Sequence, residues 1–466
     1  MRRIFGDVHT PNSEIMLCNS ILNSVNRALL ANPTMEVKVT SSTILTSPIS
    51  HASDVPLTIF DRFALNLHVA ILFAFTPPTS TNTDIISGLS NILVNFPTLT
   101  ANFSTNSHGR PCLTVGGSDG GVLVVEATVS SKLEDHLPLT PSPDFRLLHP
   151  EVNDAKHLLQ VQLNRFQCGG LVIGITSHHR VADGQSMGSF IVAWGKMVRG
   201  IPVDPLPVYD QKWLKPRDPP LVQFDHLGTE FIPLSPQPNE FKATPVYADP
   251  SEITNMLLHY TPEFIMRLKA HTNKLNTEKQ TTFETLTGYI WRKVTIARQL
   301  DDEEGTMLIV GVNGRRRLQP PVPSEFFGNL VLHAYPKTKA RALIEGGVVM
   351  AAEIVREAVR ATGNDYFRSF IDLAEVYRDS DLVACHEKRG NVLSPNLEVN
   401  SWLGLGLDVV DFGGGGKLCG ISMTWEHYEG LSILIPSLSP DGDVDVFVSL
   451  FEKDAMRFRE ISHSLD

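Results

Sequence analysis

The sequence is poor in cysteine and has no uninterrupted apolar run of the roughly 18 residues that a membrane span requires. Its longest apolar stretch near the N-terminus, residues 55–75, includes Asp61, Arg62 and His68. The few cysteines have no CxxC spacing, which indicates a reducing compartment rather than a disulfide framework. They are Cys18, Cys112, Cys168, Cys385 and Cys419. We therefore expect a soluble, cytoplasmic protein with no membrane partner.

Positive charge is also scarce. The chain has 40 lysines and arginines but 51 aspartates and glutamates, so its formal net charge is −11. A nucleic-acid-binding protein needs basic patches that neutralise phosphates. The densest basic cluster here is the isolated run at residues 315–317. No His, Cys and Asp residues are grouped at metal-ligand spacing. The sequence thus predicts no nucleic-acid partner and no metal.

The composition is that of a globular protein, with 42% apolar and 20% charged residues. The length of 466 residues favours two domains. Residues 1–34 resemble neither a transit peptide nor a signal peptide, and we interpret them as a disordered or wrongly assigned extension. Six prolines within residues 201–220 forbid a regular helix there. We expect an N-terminal domain at residues 35–200, a crossover linker at 201–235 and a C-terminal domain at 236–466.

Strand-like and helix-like segments alternate in both halves of the chain, which predicts a mixed α/β fold for each half. The predicted strands are residues 37–45, 68–75, 158–166, 171–175, 305–313, 329–335, 431–435 and 444–450. The predicted helices are residues 84–96, 186–197, 262–274, 282–300 and 347–361.

The segment SHHRVADGQSMG, residues 177–188, lies between a buried strand and a helix, at the edge of a predicted sheet. His179 can act there as a general base, because a neutral imidazole accepts a proton near neutral pH. Asp183 follows four residues later, before a glycine that permits a sharp turn. An activated thioester substrate would require only such a base, an oxyanion stabiliser and a dry channel.

Two other interpretations of this segment stay open. Residues 184–188 match the GxSxG pattern of a nucleophile elbow, but that motif places its serine directly after a strand. Here Ser186 lies well beyond the strand and is better explained as a helix cap. The third interpretation is that these are ordinary loop histidines, because a lone HxxxD pattern often arises by chance.

An ordered series of motifs decides between these interpretations. Residues 179–184 read HRVADG, and residues 411–415 read DFGGG near the C-terminus. Between and before them lie, in order, VQLNRFQCGG, KPRDPP, TFETLTGYIWRKVTIAR, GVNGRRRLQPPVPSEFFGN and PNLEVNSW. From about residue 35 to the end, this series resembles the plant BAHD acyltransferase family, whose two signatures are HxxxDG and DFGWG.

The sequence departs from the family pattern at two places. Gly414 replaces the tryptophan of DFGWG, and Leu418 replaces the proline that usually follows. The block usually written YPxLAGR reads FPTLTANF at residues 96–103. If the DFG-like segment is a packing element, four successive glycines loosen it and cost conformational entropy.

The resemblance implies two chloramphenicol-acetyltransferase-like domains, each a mixed β-sheet flanked by helices, with the active-site channel between them. His179 would be the general base at the centre of that channel, and Asp183 would orient its loop without touching the substrate. The DFG-like segment would be structural and distant from the chemistry, through Asp411, Phe412, Gly413 and Gly415.

The resemblance also implies where the substrates bind. Acyl-CoA would be a co-substrate, with no permanently bound cofactor. Four residues would lie near the channel mouth, where a cation suits the nucleotide phosphates. These are Thr281, Thr282, Arg315 and Arg317.

In PNLEVNSW, extended spacing puts Glu398, Asn400 and Trp402 on one face of a strand. Positions matching Asn400 and Trp402 face the reacting carbonyl in the family's hydroxycinnamoyltransferases, and both side chains are N–H donors suited to an oxyanion. The shikimate/quinate-type members would have a small residue in place of Glu398. Its carboxylate would favour a cationic acceptor, or it would pair with a nearby arginine.

The leading hypothesis is a monomeric amine N-acyltransferase, closest to the amine N-hydroxycinnamoyltransferases. It would transfer a hydroxycinnamoyl or related aromatic acyl group to agmatine, a polyamine or an aryl-alkylamine. Within the fold, the alternative is an O-acyltransferase for an alcohol or phenol. Two alternatives belong to other functional classes. One is a non-catalytic, decayed member of the family, and the other, more distant, is a serine hydrolase.

Overall fold

The computed structural model describes residues 35–465, apart from residues 118, 154, 234–244, 274–278, 379–381 and 440–441. The extension predicted at residues 1–34 lies outside the described residues. The described strands are β1 (Val37–Thr46), β2 (Ser53–Pro56), β3 (His68–Phe75), β4 (Asn102–Thr105), β5 (Pro111–Val115), β6 (Gly121–Val129), β7 (Leu159–Phe166), β8 (Leu171–His178), β9 (Phe231–Pro233), β10 (Ile253–Tyr260), β11 (Gly305–Asn313), β12 (Val331–Ala334), β13 (Lys337–Lys339), β14 (Leu382–Ala384), β15 (Leu397–Ser401), β16 (Leu418–Met423), β17 (Leu431–Pro436) and β18 (Val444–Phe451). The described α-helices are α1 (Ile59–Phe63), α2 (Asn82–Ile92), α3 (Gly184–Val198), α4 (Pro262–Asn273), α5 (Thr282–Arg298), α6 (Ala340–Ala361), α7 (Asn364–Val376) and α8 (Glu452–Ile461). Strands and helices are interspersed in both halves, which confirms the predicted mixed α/β class.

The first sheet has the strand order β1-β6-β7-β8-β3-β16. Its β6 and β7 pair in parallel, and the other neighbours pair antiparallel. One face packs against α2 and α3, whose Leu89, Phe190 and Trp194 are fully buried. The other face is covered by the 3-10 helices Leu133–His136 and Pro143–Leu148.

The second sheet has the strand order β10-β18-β17-β15-β11-β12, and β13 also pairs with β11. Its central strands β11, β15 and β17 are parallel. One face packs against α5, α6 and α8, through Trp291, Val355 and Phe458. The opposite face contributes Ile433 and Phe447 to the core of the first sheet, so the two halves share apolar contacts.

Two elements cross between the two halves of the chain. β16 follows residue 236 in sequence but pairs with β3 of the first sheet. The DFG-like segment just before β16 therefore packs beside the first sheet, although it belongs to residues 236–466 in sequence. Conversely, Phe60 of α1 packs against Phe370 of α7, with ring centroids 5.2 Å apart. Contacts between distant segments leave no local signal in a sequence, so the prediction could not place either element.

Some element ends also differ from the prediction. β8 continues past residue 175 to His178, and α3 begins at Gly184 rather than at residue 186. The helix predicted at residues 347–361 is the longer α6, which bends at Gly347, where φ is 68°. Because such a φ suits only glycine, the bend separates two amphipathic stretches, and only the second matches the predicted helix.

Candidate active site

His179 follows the last residue of β8, and backbone contacts hold it on both sides. Its N–H donates to the carbonyl oxygen of Leu67 at 2.9 Å, and its own carbonyl accepts from Asn329 Nδ2 at 2.9 Å. Its Nδ1 is buried, with no geometrically sound hydrogen bond to another described group. Burial lowers the pKa of the imidazole, opposed by its own carbonyl, the Asp183 carboxylate and the Asn329 amide. His179 is therefore neutral near pH 7, as a general base must be.

The adjacent His178 has a different environment. As part of β8 it pairs with His68 of β3, and its ring lies 4.7 Å from that of Phe103. Its Nδ1 accepts from the Arg180 N–H at 3.2 Å. Burial lowers the pKa of His178 to about 3, so this imidazole is a packed, uncharged side chain.

Asp183 lies at the start of α3 and is 1% exposed. It caps that helix by accepting from the Ser186 N–H at 3.0 Å, and it accepts from the Leu330 N–H at 3.0 Å. Arg315 Nη1 and Nη2 donate to its two oxygens at 2.7 and 3.1 Å. Burial opposes ionisation, but the Arg315 charge and these hydrogen bonds outweigh it, so the pKa of Asp183 lies below its ordinary value.

These contacts correct two expectations. Arg315 was expected to bind nucleotide phosphates, yet it is 1% exposed and its guanidinium is bonded to Asp183 and Ser186. Ser186 was expected to cap α3, whereas Asp183 does so. The Ser186 hydroxyl instead donates to the Gly328 carbonyl at 2.9 Å and accepts from the Gly328 N–H at 3.1 Å. A hydroxyl engaged in this way is not exposed at a strand-to-helix turn, as a nucleophile elbow requires.

A Ser-His-Glu arrangement does exist elsewhere, where the crossover segment meets α7. His226 Nε2 lies 3.0 Å from Ser369 Oγ, and His226 Nδ1 lies 3.1 Å from Glu230 Oε2. Ser369 also accepts from the backbone N–H of Gln223 and Phe224, at 2.8 and 3.1 Å. The serine, histidine and glutamate are all buried, so this set anchors the crossover segment and offers no accessible nucleophile.

Three of the residues expected near CoA gather at the N-terminus of α5. Thr281 caps that helix and accepts from the Glu284 N–H at 3.1 Å. Thr282 accepts from Lys269 Nζ at 3.4 Å. Burial lowers the pKa of Arg317, and the nearby Glu284 acts in the opposite direction. The structure thus places Thr281 and Thr282 at one helix end, with Lys269 of α4 beside them and Arg317 in electrostatic interaction with Glu284 of the first turn.

β15 separates polar from apolar side chains, as its alternation predicted. Leu397 and Val399 lie in the hydrophobic core of the second sheet, here called the second core. On the polar side, Asn400 Nδ2 donates to Glu398 Oε1 at 2.9 Å. Burial raises the pKa of Glu398, and Asn400 and the Arg389 charge act in the opposite direction. Trp402 is 8% exposed, in the core that the first sheet shares with the second.

Four further polar groups interact electrostatically with His179 or with Glu398, and sequence reasoning missed all of them. Burial lowers the pKa of His333 and of His386 to about 3, and electrostatic interaction with His179 acts in the same direction. Tyr335 and Tyr428 are similarly within the electrostatic reach of Glu398. Together with Arg389 and Glu398, we call these residues the acceptor cluster. They come from four separate segments, so no spacing in the sequence could have revealed the cluster.

The loop between β8 and α3, residues 179–183, is called the base loop here after the predicted role of His179. An ion pair joins it to the segment that carries part of this cluster. Arg180, next to His179, pairs with Glu387 in the 3-10 helix Cys385–Lys388. Both side chains are partly exposed. The pair therefore links the first half of the chain to the second in a partly exposed position.

On another side of the base loop lies a cavity of about 340 Å³. Val181 and Asn329 lie in its wall together with Asp61, and most of the remaining wall is apolar or aromatic, including Leu113 and Phe327. Burial raises the pKa of Asp61 to about 6, against hydrogen bonds from Asn329 and Thr58.

The DFG-like segment packs against the first half of the chain. Asp411 pairs with Arg199 at 2.8 Å, and Phe412 packs edge-on against Trp194, with centroids 4.6 Å apart. Gly414 has φ of 80°, and a Cβ there would lie 2.2 Å from the Ser80 nitrogen. Glycine in place of the family's tryptophan thus allows two backbone segments to approach closely.

Within the described residues, none of the helices combines the length and apolar character needed to cross a membrane. In the same residues, no three His, Cys, Asp or Glu side chains are grouped so that they could hold a metal ion.

The profile of the Transferase family matches residues 35–464. Agmatine coumaroyltransferase-1 from Hordeum vulgare is 36% identical over 428 residues, covering 90% of this chain and 95% of the relative. Putrescine hydroxycinnamoyltransferase 3 from Oryza sativa subsp. japonica is 34% identical, covering 93% of this chain and all of the relative. Tryptamine hydroxycinnamoyltransferase 2 from the same rice is 35% identical, covering 88% and 93%.

Two solved structures are similar in fold. Vinorine synthase has a TM-score of 0.68 at 21% identity, over 91% of this chain and 96% of that one. Fusarium graminearum TRI101, solved with coenzyme A and T-2 mycotoxin, has a TM-score of 0.73 at 17% identity, over 88% and 97%. These matches confirm the predicted two-domain acyltransferase fold.

Proposed function

Because this chain belongs to the Transferase family, as an acyl-CoA-dependent acyltransferase of the BAHD type, we propose that it transfers an aromatic acyl group from CoA to an amine. Relatives named for coumaroyl, hydroxycinnamoyl and benzoyl transfer support the aromatic donor. Relatives named for agmatine, putrescine and tryptamine support the amine acceptor. Acyl-CoA enters as a co-substrate, and the chain acts as a cytoplasmic monomer without a resident cofactor.

His179 serves as general base in the proposed reaction. The imidazole takes a proton from the acceptor nitrogen as that nitrogen attacks the thioester carbonyl. A tetrahedral oxyanion forms, and Asn400 and Trp402 donate N–H groups to it. Asn400 has two amide hydrogens, so one can reach the oxyanion while the other bonds to Glu398. The oxyanion collapses, the C–S bond breaks, and the CoA thiolate takes the proton from His179.

The main structural support for proposing an amine acceptor is the carboxylate of Glu398 within the acceptor cluster. A carboxylate removed from water needs a compensating cation, and burial here raises the pKa of Glu398 above its ordinary value. Asn400 supplies one hydrogen bond, and Arg389 acts from a greater distance. A guanidinium or ammonium group of the acceptor would complete the neutralisation, and the Tyr335 and Tyr428 rings suit a cation as well.

The test compares charged and neutral acceptors in one assay. Release of CoA thiol and product mass are measured with agmatine, putrescine, tryptamine and neutral alcohols, using coumaroyl-CoA and benzoyl-CoA. Glu398→Gln should lower kcat/KM for amines by about 2–4 kcal/mol, or roughly 30- to 1000-fold, and should affect an alcohol much less. Glu303→Gln is the matched control, because it removes the same charge from an exposed residue that pairs with Lys339.

Two outcomes would contradict the proposal. Equal losses for amines and alcohols would make Glu398 a structural residue. A neutral alcohol as the best acceptor of the unaltered protein would identify an O-acyltransferase instead.

We also propose that Thr281, Thr282 and Arg317, but not Arg315, contact the CoA nucleotide. Lys269 lies beside them, so the N-terminus of α5 offers both backbone N–H groups and cations to a phosphate. Arg317→Ala should raise the KM for acyl-CoA while leaving the KM for the amine unchanged. A change in the amine KM alone would contradict this placement.

A further inference from the structure

Asn329 lies between a buried carboxylate and the backbone of the proposed base. Its Nδ2 donates to Asp61 Oδ1 at 2.9 Å and to the His179 carbonyl at 2.9 Å. Its backbone N–H also approaches Asp61 Oδ1 at 3.3 Å. Both amide hydrogens of this buried side chain are therefore used, one on each neighbour.

Asp61 is itself held rigidly. The Thr58 N–H and the Thr58 hydroxyl both donate to Asp61 Oδ2 at 2.8 Å, as part of a capping box at the start of α1. α1 in turn inserts Phe60 and Phe63 into the second core. One carboxylate oxygen thus fixes the helix start, and the other is left to orient Asn329.

The segment that carries Asn329 is also tied to the base loop from the other side. Asp183 accepts from the Leu330 N–H, and Ser186 bonds to both backbone polar groups of Gly328. Asp61 and Asp183 therefore hold the neighbouring residues Asn329 and Leu330 of one segment. This arrangement differs from a catalytic triad, because neither carboxylate bonds to the imidazole.

We propose that Asp61 and Asn329 are positioning residues for His179: the Asp61 carboxylate orients the Asn329 amide, and that amide fixes the carbonyl of the base. This inference rests on the proposed role of His179. Burial lowers the pKa of the His179 imidazole, and its own carbonyl, the Asp183 carboxylate and the Asn329 amide oppose that effect. The other titratable groups near the imidazole are Asp183, His178, His333 and His386. None of them contacts the His179 carbonyl in the described part of the chain.

The test uses Asn329→Ala, Asp61→Ala and the double variant of the full chain. Asn329→Ala should lower kcat by roughly 10- to 100-fold, because a small displacement of a catalytic group is costly, and should change both KM values little. The acid limb of the kcat–pH profile should move to lower pH, since a base that loses these contacts is protonated less readily. If Asp61 acts through Asn329, the double variant should lose no more activity than Asn329→Ala alone.

Asn255→Ala is the matched control, because Asn255 is a buried amide on the far edge of the second sheet whose Nδ2 also donates two hydrogen bonds. It should lower the melting temperature without moving the pH profile. A second measurement follows the His179 ring by NMR titration of histidine-labelled protein, with His179→Ala as the assignment reference. In Asn329→Ala this titration should move to lower pH, even with no substrate present.

A pH profile and a His179 titration that match those of the unaltered protein would overturn the positioning role. Additive losses in the double variant would separate Asp61 from Asn329. If Asn329→Ala does not fold, Asp61→Asn, which keeps one oxygen on Thr58 or Asn329, should show the same shifts to a smaller degree, and no shift would overturn the proposal. Failure of the unaltered protein to acylate any acceptor would refute the proposed function, and the NMR titration would still decide the positioning question.

Discussion

His178 and His179 are adjacent in sequence, but β8 ends between them. His178 continues the pairing of the sheet and packs against His68 and Phe103. His179 leaves the sheet, and its backbone is held by Leu67 and Asn329. The same side-chain chemistry therefore has a packing role at one position and is available for proton transfer at the next.

This difference gives a prediction about the two imidazoles. His179→Ala should lower kcat by roughly 10²- to 10⁴-fold, the range for loss of a general base, without unfolding the protein. His178→Ala should cost stability and much less activity, because burial keeps His178 uncharged and packed. Steady-state kinetics and thermal melts of both variants decide the matter. If activity required His178 and persisted without His179, the assignment of His179 as the base would be refuted.

The pair of Asp183 and Arg315 gives a second prediction. Asp183→Asn should lower the free energy of unfolding at neutral pH by about 3–5 kcal/mol, because it leaves the buried Arg315 charge without its partner. The folded-state pKa of Asp183 is depressed, so its contribution is present above the unfolded pKa of about 3.9 and is lost as pH falls through the folded pKa.

Denaturant unfolding of the parent and Asp183→Asn at several pH values measures this contribution. The difference between the two should shrink as pH falls below about 4. Glu303→Gln is the control, because Glu303 and Lys339 form an exposed ion pair whose loss should change stability little. A constant difference across the acid range would mean that the Asp183 charge contributes nothing to stability.

At the scale of elements, the glycine-rich loop before β16 shows a backbone requirement. Gly414→Ala should destabilise the protein by more than the roughly 1 kcal/mol that a left-handed residue alone costs, because its Cβ would also meet Ser80 and Thr79. Gly415→Ala is the matched control: its φ is 96°, and its nearest contact would be Pro78 at 3.7 Å. Thermal melts should therefore rank Gly414→Ala below Gly415→Ala. Restoration of the family's tryptophan at Gly414 should destabilise further; increased stability would contradict the close approach.

Elements whose pattern is local were predicted well, and those with interrupted patterns were not. β3 was predicted over its full length, because residues 68–75 are continuously apolar after one histidine. α6 was found only in part, since Gly347 breaks its backbone geometry. The end of β8 was set too early, because Thr176 and Ser177 look polar although they pair with β3 and β7.

The site was only partly predictable for the same physical reason. The motif around His179 is contiguous and can be read from the sequence, and alternation along β15 correctly put Glu398 and Asn400 on one face. Arg315 was misplaced, because burial beside Asp183 depends on how β11 meets the base loop. The acceptor cluster depends on packing between segments that are distant in sequence.

At the scale of the whole molecule, the exchange of α1 and β16 couples the two cores. Unfolding of one core removes an element from the other, so we predict a single cooperative transition in denaturant. Trp194 lies in the first core and Trp291 in the second, and both are buried. Single-tryptophan variants, which keep only Trp194 or only Trp291 of the five tryptophans, should give coincident fluorescence midpoints. Separate midpoints would show that the halves unfold independently.

The position of β16 also bears on how the chain is made in the cell. In the finished sheet β3 lies between β8 and β16, yet β16 ends at Met423 of a 466-residue chain. During synthesis, β3 can pair with β8 long before the ribosome has passed residue 423. Until then its other edge presents unpaired backbone groups along the apolar segment HVAILFAF. A nascent chain with such an edge is prone to aggregation, so added chaperones should raise the soluble yield.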